Sequence, residues 1–317
     1  MKPLVSILIP AYNAAPWLGE TLQSVLTQTW LKKEIIIVDD GSTDDTLTIA
    51  KRIRSSNIKV IEQTNRGASA ARNIALREAQ GDFIQFLDAD DLLAPDKIET
   101  QMKVFADWGS SAVAAGAWAR FCTTTSEARF IQQPLWNDMS PVEWLVCEMQ
   151  GGGMMIPAAW IVPRSIAERA GPWNEALTLH DDGEYFARVV LASDGVRFCH
   201  GALCFYRSGV RTSLSNSYSN AAIESAYKCR ELCVEHLLAR EDSPRTRRAC
   251  ATVLQNFVYW IYPAAPELVR QAESKIKLLG GITHKPEGGK IFKSLTRVIG
   301  WKAARRLGRM VRPVRES

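Results

Sequence analysis

The chain has 317 residues, with 39 Lys and Arg against 34 Asp and Glu, and a formal net charge of +5. Its hydrophobic fraction of 46% and charged fraction of 23% are near globular averages, which excludes a disordered chain, a collagen and a coiled coil. Residues 285–317 hold ten basic and two acidic side chains, a net charge of +8, so residues 1–284 carry −3. The positive charge is therefore concentrated in a basic tail.

The cysteines argue against a metal or redox motif. Seven Cys include no Cys-x-x-Cys pair and are accompanied by four His, so neither a zinc ribbon nor a thioredoxin motif is present. An odd, scattered set is typical of reduced thiols in the cytosol. The N-terminal residues lack the pattern of a signal peptide, and no apolar run approaches the ~18–20 residues of a membrane span. We therefore expect a cytoplasmic protein.

Short apolar runs alternate with helical patterns in the first hundred residues. The runs predict strands over 4–9, 34–38, 58–61 and 83–87, and apolar spacing predicts helices from Pro16, after Ser42 as N-cap, over 67–79 and over 97–107. This alternation is typical of βαβ units. We predict an α/β fold, a Rossmann-like domain with a mostly parallel central sheet, followed by a helical C-terminal region from about residue 221.

Polar clusters follow all four predicted strands. They are Tyr12-Asn13, Asp39-Asp40, Asn65-Arg66 and the segment 88–91. Because ligands of open parallel sheets bind outside the carboxyl ends of the strands, these clusters predict one binding crevice.

Each cluster has a purely structural interpretation as well as a functional one. Asp88-Ala89-Asp90 can hold Mg²⁺ or Mn²⁺, or can be solvated loop acids. Asp40 can end a strand before a helix cap, or can bind a nucleobase or ribose. Similarly, Arg66 and Arg72 can lie on an exposed turn and helix face, or can face a phosphate or base.

Four segments together carry a more specific signal than any one motif. They are 4–13 (LVSILIPAYN), 34–44 (EIIIVDDGSTD), 65–73 (NRGASAARN) and 81–91 (GDFIQFLDADD). In this order and spacing they resemble the nucleotide-sugar domain of family-2 glycosyltransferases, which are inverting enzymes of the GT-A fold. The resemblance implies a GT-A domain over 1–215, a helical extension over 216–284 and the basic tail over 285–317.

The resemblance implies a donor site and a metal site. Donor-binding residues would be Pro10, Ala11, Tyr12, Asp40, Arg66, Arg72 and Asp88, with Asp40 at the edge of a uracil-like base. Asp88 and Asp90 would form the motif for a divalent metal, Mn²⁺ or Mg²⁺, with Asp90 as the direct ligand. The donor would be a nucleoside diphosphate sugar, a UDP-sugar.

The resemblance also implies a general base in a downstream acidic pair. Asp182 would deprotonate the acceptor hydroxyl, and Asp181 would orient it or contact the acceptor. Inversion needs such a base on one face of the sugar and a stabilised leaving group on the other. Without the resemblance, an acidic pair at a helix N-terminus is equally explained by the macrodipole.

The segment after this pair departs from the family pattern. Family members often carry a metal-binding His there, and residues 206–213 contain none. Arg207 or Arg211 would contact the diphosphate instead. His180 and His200 are not assigned as ligands, because a single His is more often structural.

The acceptor-binding site is the part of the protein that the sequence predicts least well. Residues 151–155 and Trp160 lie where it should approach, and Trp160 would stack on a sugar ring or else be a buried core residue. In the tail, Ile291, Leu295, Val298, Ile299 and Trp301 alternate with Lys and Arg. This pattern is compatible with an amphipathic helix on an anionic membrane, hence peripheral membrane contact, or with a solvated tail. No nucleic-acid module accompanies it.

The sequence thus favours an inverting glycosyltransferase that uses a glycan or lipid-linked acceptor in polysaccharide or glycoconjugate biosynthesis. One alternative is a sugar nucleotidyltransferase, which would want a Gly-rich, basic loop where residues 11–15 read AYNAA. Another is a non-catalytic nucleotide-sugar-binding subunit, against which Asp90 and Asp182 argue. A phosphatase of the DxDx(T/V) type is excluded, since Leu92 occupies the Thr/Val position.

Overall fold

The computed structural model describes residues 2–53, 55–209, 219–282 and 289–311. The strands are β1 (Val5–Ala11), β2 (Lys33–Asp39), β3 (Ile58–Glu62), β4 (Phe83–Phe86), β5 (Leu92–Leu93), β6 (Val113–Phe121), β7 (Trp160–Pro163) and β8 (Val196–Arg207). The helices are α1 (Leu18–Leu26), α2 (Thr46–Arg52), α3 (Ala68–Glu78), α4 (Lys97–Trp108), α5 (Pro141–Met149), α6 (Arg164–Ala170), α7 (Asp181–Leu191), α8 (Asn220–Arg240), α9 (Pro244–Ile261), α10 (Pro266–Leu278) and α11 (Lys290–Val311).

The described strands form one sheet in the order β3-β2-β1-β4-β7-β6-β8-β5. The first four of these are parallel neighbours, and β6 and β8 are also parallel. All seven residues of β1 are buried, as expected for an apolar run covered on both faces. The predicted α/β fold with its mostly parallel sheet is confirmed, while the antiparallel insertions of β7 and β5 were not predicted.

The predicted N-cap of the second helix is wrong. α2 begins at Thr46 with Asp45 at the N-cap position, not after Ser42. The Ser42 hydroxyl instead accepts the Asn13 N–H at 3.0 Å, and the Ser42 N–H donates to Asp39. The loop after β2 is therefore held against the loop after β1, which delays the start of the helix.

The helical C-terminal region shares the core of the sheet domain. α8 packs on α7, and α9 packs on α5 and α10. Leu237, Leu254 and Phe257 are fully buried and belong to the same hydrophobic core as β1. The predicted boundaries near 215 and 284 fall outside the described residues, so the division of the chain stays a prediction.

The basic tail forms α11, which is broken at Gly300 (φ 77°). After this break, Trp301 packs against Tyr259 and Tyr262, with ring centroids 4.8 and 5.1 Å apart. Before it, Val298 is 84% exposed. The single amphipathic face that the sequence predicted is thus divided, with Trp301 on the protein. None of the helices in the described part of the chain is both long and apolar enough to cross a membrane.

Candidate active site

Asp40 anchors the loop that follows β3. Its carboxylate accepts hydrogen bonds from the side chain of Gln63 and from the backbone N–H groups of Arg66 and Gly67, the latter two at 2.8 Å. The side chain is almost fully buried. Oδ2 receives only the bond from Gly67 among the described residues, and a carboxylate oxygen can accept two. One acceptor position of Asp40 therefore remains for a ligand.

The approach of these loops depends on Gly41. A Cβ at this position would lie 2.8 Å from the backbone nitrogen of Asn65, and φ is +72°. Both the close contact and the left-handed backbone require glycine. Gly41 thus lets the loops after β2 and β3 meet at one side of the crevice.

The first predicted donor segment lies at the same edge. Pro10 and Ala11 belong to β1 and are buried, and the Ala11 carbonyl accepts the Asp40 N–H at 2.8 Å. Tyr12 follows the strand and is 51% exposed. Of these three residues, only Tyr12 has an exposed side chain at this edge of the sheet, whereas Pro10 and Ala11 are buried in β1.

The two arginines of the predicted donor site are differently placed. Arg66 is 54% exposed and forms an ion pair with Glu175 at 2.8 Å. Glu175 also accepts from the buried Asn73 on α3. Arg72 lies on α3 with only 7% of its side chain exposed, so the interpretation as an exposed helix face is wrong for this residue.

Arg72 joins two acidic segments. Its Nη2 donates to Asp88 and its Nη1 to Asp181, both at 2.8 Å, while the guanidinium lies 4.5 Å from the centroid of Trp173. Burial by itself lowers the pKa of Arg72, but the carboxylates of Asp88 and Asp181 outweigh it and raise the pKa above its ordinary value. A permanently charged arginine therefore holds the metal motif beside the predicted base segment.

The acidic motif after β4 contains two kinds of carboxylate. Burial, and then the charge of Asp88, raises the pKa of Asp90 to about 6. Asp91 is fully buried and accepts the Arg207 N–H at 2.9 Å; burial and its acidic neighbours raise its pKa well above the ordinary value. Asp91 thus ties the motif to β8, while Asp88 and Asp90 remain partly exposed toward the crevice.

Arg207 occupies a different place from the one predicted. Its Nε donates to the Asp90 carbonyl at 2.9 Å and its Nη2 to Glu20 at 2.6 Å. The buried Arg207 side chain thus stabilises the backbone of the segment that carries the predicted metal motif. Arg211, the other predicted diphosphate contact, lies outside the described residues. Sequence reasoning missed the role of Arg207 because Glu20 is 187 residues away in the chain.

Asp182 lies in the first turn of α7. His180, at φ 60°, is the N-cap residue of this helix, and the Gly183 N–H donates to Asp182 at 2.9 Å. Burial, followed by the charge of Asp181, raises the pKa of Asp182 to about 7, and Arg72 opposes this increase. A carboxyl group with such a pKa is able to take up a proton near neutral pH.

The predicted acceptor residue Trp160 is a core residue instead. It is 1% exposed, stacks on Phe186 at 5.1 Å and meets Trp144 edge-on at 5.4 Å. No face of its indole is open to a sugar ring, so that assignment is wrong. The reason is that β7 inserts between β4 and β6, which places Trp160 in the middle of the sheet.

The fold is that of the GT-A-type glycosyltransferases. The chain belongs to glycosyl transferase family 2, whose sequence model matches residues 6–171. A protein of Haemophilus influenzae described as an uncharacterized glycosyltransferase is 32% identical over 223 residues, or 69% of this chain and 85% of that protein. The family resemblance predicted from the four segments is confirmed.

Two solved structures share the fold. The S. aureus TarS fragment 1–349, in complex with UDP-GlcNAc, superposes with a TM-score of 0.73 at 18% identity, covering 98% of this chain and 92% of that one. The mannosyltransferase PcManGT of Pyrobaculum calidifontis, in complex with GDP-Man and Mn²⁺, has a TM-score of 0.57 at 18% identity, covering 98% and 84%. The similarity to TarS includes the helical C-terminal part of the chain.

Proposed function

We propose that this chain is an inverting enzyme that transfers a sugar from a UDP-sugar to a hydroxyl group of a glycan or lipid-linked acceptor, in polysaccharide or glycoconjugate biosynthesis. The observation that carries the proposal is the bridge from Arg72 to Asp88 and Asp181. It brings a metal motif and a candidate base from distant parts of the chain to one crevice. The UDP-GlcNAc bound to TarS supports the choice of donor class.

In this proposal the nucleotide lies between Tyr12 and Asp40. The exposed phenol ring of Tyr12 offers a face for stacking of the base. The remaining acceptor position of Asp40 Oδ2 suits the N3–H of uracil, which is a hydrogen-bond donor. The backbone of Arg66 and Gly67 fixes this carboxylate, so the base edge meets an oriented acceptor.

Asp88 and Asp90 fit a divalent metal as partial ligands. Their hard oxygen atoms suit Mg²⁺ or Mn²⁺. Burial and then the charge of Asp88 raise the pKa of Asp90, so a bound cation would stabilise its ionised form. Within the described residues, no group of three His, Cys, Asp or Glu side chains converges as a metal site. The diphosphate would therefore complete the coordination, and the bound metal would neutralise charge on the leaving group.

Asp182 acts as the general base in this proposal. The acceptor hydroxyl loses its proton to the Asp182 carboxylate as its oxygen forms a bond to the anomeric carbon, and the bond to the diphosphate oxygen breaks with its electron pair. Arg72 and the Ser69 hydroxyl hold Oδ2 of the neighbouring Asp181 at 2.8 and 2.7 Å, which fixes the position of this carboxylate. Asp181 is thus a positioning residue.

The test is release of free UDP from a panel of UDP-sugars and acceptors with Mn²⁺, Mg²⁺ or EDTA. We expect acceptor-dependent release that EDTA abolishes, and loss of release in Asp182→Asn with UDP binding retained. Asp107→Asn, an exposed change on α4, is the matched control. Donor binding without release in the presence of any acceptor would instead indicate a non-catalytic binding subunit.

We also propose that the first half of α11 contacts the membrane surface. Leu295, Val298 and Ile299 are 36%, 84% and 42% exposed, and the tail carries a net charge of +8. Exposed apolar side chains beside basic residues suit an anionic lipid surface. Lipid-linked acceptors would be reached from that position.

A further inference from the structure

A second cluster of polar and aromatic side chains lies next to the proposed base. It consists of Glu148 on α5, His180 before α7, Arg230 on α8 and Trp260 on α9. Glu148, Arg230 and Trp260 are partly exposed, and His180 is exposed. All four lie outside the four segments that resemble the nucleotide-sugar domain, and none has a role in the donor site described above.

The position of this cluster follows from the packing of α8 against the start of α7. The Cys229 thiol donates to the His180 carbonyl at 3.0 Å, and the Cys233 thiol lies 3.8 Å from the Gly183 carbonyl. These contacts bracket Asp182 in the chain. Arg230 follows Cys229 on α8, so these contacts bring it near the start of α7. Glu148 is close enough for the charges of both Asp182 and Arg230 to act on it.

Arg230 differs from the other arginines of the crevice in forming no ion pair with a described residue, although Glu148 lies near enough for its charge to act on the guanidinium. Arg66, Arg72 and Arg207 all form ion pairs. Arg230 forms no ion pair with any described residue; its Nη1 donates to the Ala226 carbonyl at 2.7 Å, and Nε and Nη2 bond to nothing in the described part of the chain. Burial lowers the pKa of Arg230 by more than the neighbouring Cys229 and Glu148 raise it, so an oxyanion on a ligand would stabilise the charged guanidinium.

Aromatic rings hold this guanidinium in place. Its carbon lies 5.3 Å from the centroid of Phe257 and 5.9 Å from that of Trp260. The Trp260 ring in turn meets the His180 ring edge-on at 6.3 Å. An indole beside a fixed cation suits a sugar ring that carries an anionic substituent, because the ring can stack while the guanidinium binds the oxyanion in bidentate fashion.

We propose that Arg230 and Trp260 form an acceptor subsite, and that the acceptor is a glycan unit carrying a phosphate or carboxylate group near the attacking hydroxyl. The proposal rests on the proposed transferase function, since it places this unit beside Asp182. Trp260 supplies the stacking surface, Arg230 binds the oxyanion, and Glu148 accepts a hydrogen bond from a sugar hydroxyl. Trp260 thus takes the role that the sequence assigned to Trp160.

The experiment compares matched ligands: methyl glycosides of glucose, galactose and mannose, their 6-phosphates and the corresponding uronic acids. Binding is measured by saturation-transfer NMR with UDP and Mn²⁺ present. In at least one series we expect the anionic member to bind about tenfold more tightly than the neutral one, an advantage that falls with added salt. A stronger 6-phosphate identifies a phosphorylated acceptor, and a stronger uronate identifies a carboxylated one.

Variants separate the two contacts. Arg230→Gln should abolish the advantage of the anionic ligands and leave the neutral ones unchanged, whereas Trp260→Leu should weaken all members of a series equally. Arg230→Lys keeps the charge and should keep most of the preference. Arg240→Gln, an exposed change on the same helix, is the matched control and should behave as the native chain.

Equal binding of neutral and anionic ligands in every series would overturn the proposal, as would a preference that survives in Arg230→Gln. UDP release measured in parallel separates this result from the proposed function. Release without an anionic preference contradicts the subsite and leaves the transferase standing. An Arg230-dependent preference without release from any donor supports the subsite and contradicts transfer.

Discussion

Arg72 and Asp181 are 109 residues apart in the chain, yet Nη1 of Arg72 donates to Oδ2 of Asp181 at 2.8 Å. The same guanidinium reaches Asp88, so one side chain sets the spacing between the metal motif and the segment that carries Asp182. The flat face of the guanidinium rests on Trp173, itself 1% exposed. The geometry of the proposed reaction therefore depends on Arg72 as the link between these two acidic segments.

Replacing Arg72 should reveal this positioning role. A lysine ammonium cannot reproduce the two-pronged contact with Asp88 and Asp181, so we expect Arg72→Lys to lower kcat by on the order of 100-fold, with a smaller change in the KM for donor. Arg72→Ala leaves the two carboxylates without their cation, at a cost of about 3–5 kcal/mol in unfolding free energy.

The control for Arg72 is Arg77→Lys, an exposed change on the same helix. Steady-state UDP release and urea unfolding measure the two effects. Full activity in Arg72→Lys would show that the bridge has no part in positioning the base.

The raised pKa of Asp182 predicts the pH dependence of activity. A general base must be deprotonated in the free enzyme, so kcat/KM should rise with pH through about 7 and level off above it. Asp182→Asn should abolish this rise of kcat/KM with pH and should lower the rate by about 10²–10⁴-fold. A pH profile of UDP release from 5 to 9 checks this. A native profile that is flat across 7 would contradict the raised pKa of Asp182, and full activity in Asp182→Asn would exclude Asp182 as the base.

The same group should lower stability at high pH. Its pKa in the folded state, about 7, lies above the unfolded value of ~3.9, so the folded state binds more protons between these values. Stability contributed by protonated Asp182 is complete below the unfolded pKa and is lost as pH rises through about 7. Asp182→Asn, which mimics the protonated form, should therefore raise Tm by a few degrees at pH 8 and by little at pH 4. Equal shifts at both values would contradict the pKa.

The proposed membrane contact can be tested with two matched exposed positions. Val298 before the break in α11 and Leu278 at the end of α10 are 84% and 81% exposed. Val298→Asp should reduce flotation of the full chain with anionic liposomes several-fold, because it places a carboxylate against apolar and anionic lipid. Leu278→Asp should not. Equal flotation of both variants and the native chain would contradict contact through α11.

Local pattern was sufficient for much of the nucleotide half. The strands β1, β2 and β4 are apolar runs that are almost entirely buried, a property that the sequence shows directly, whereas β3 at the edge of the sheet is partly exposed. The polar residues that end these strands must meet at one edge of a parallel sheet. Asp88, Asp90 and Tyr12 were identified for this reason. The prediction that Ser42 caps α2 failed because its hydroxyl bonds to a loop 29 residues earlier.

The acceptor half was not predictable in the same way. Trp160 and Trp260 both lie among apolar residues, and what distinguishes them is burial by neighbouring elements: β7 lies inside the sheet, whereas the end of α9 stays partly exposed beside His180. Likewise, nothing near Arg230 in the sequence shows that it forms no ion pair with a described residue, since its neighbours are set by helix packing.

The sequence by itself determined which polar residues end the parallel strands. It therefore also indicated at which edge of the sheet a nucleotide site and a metal motif are expected. Hydrophobic periodicity and turn residues are local features that span a few positions, so they can be recognised without knowledge of the fold. Only the tertiary structure decided how Arg72 joins Asp88 to Asp181, and that Trp160 is buried while Trp260 is partly exposed. Those outcomes depend on contacts across more than a hundred residues and on burial, which no local pattern encodes.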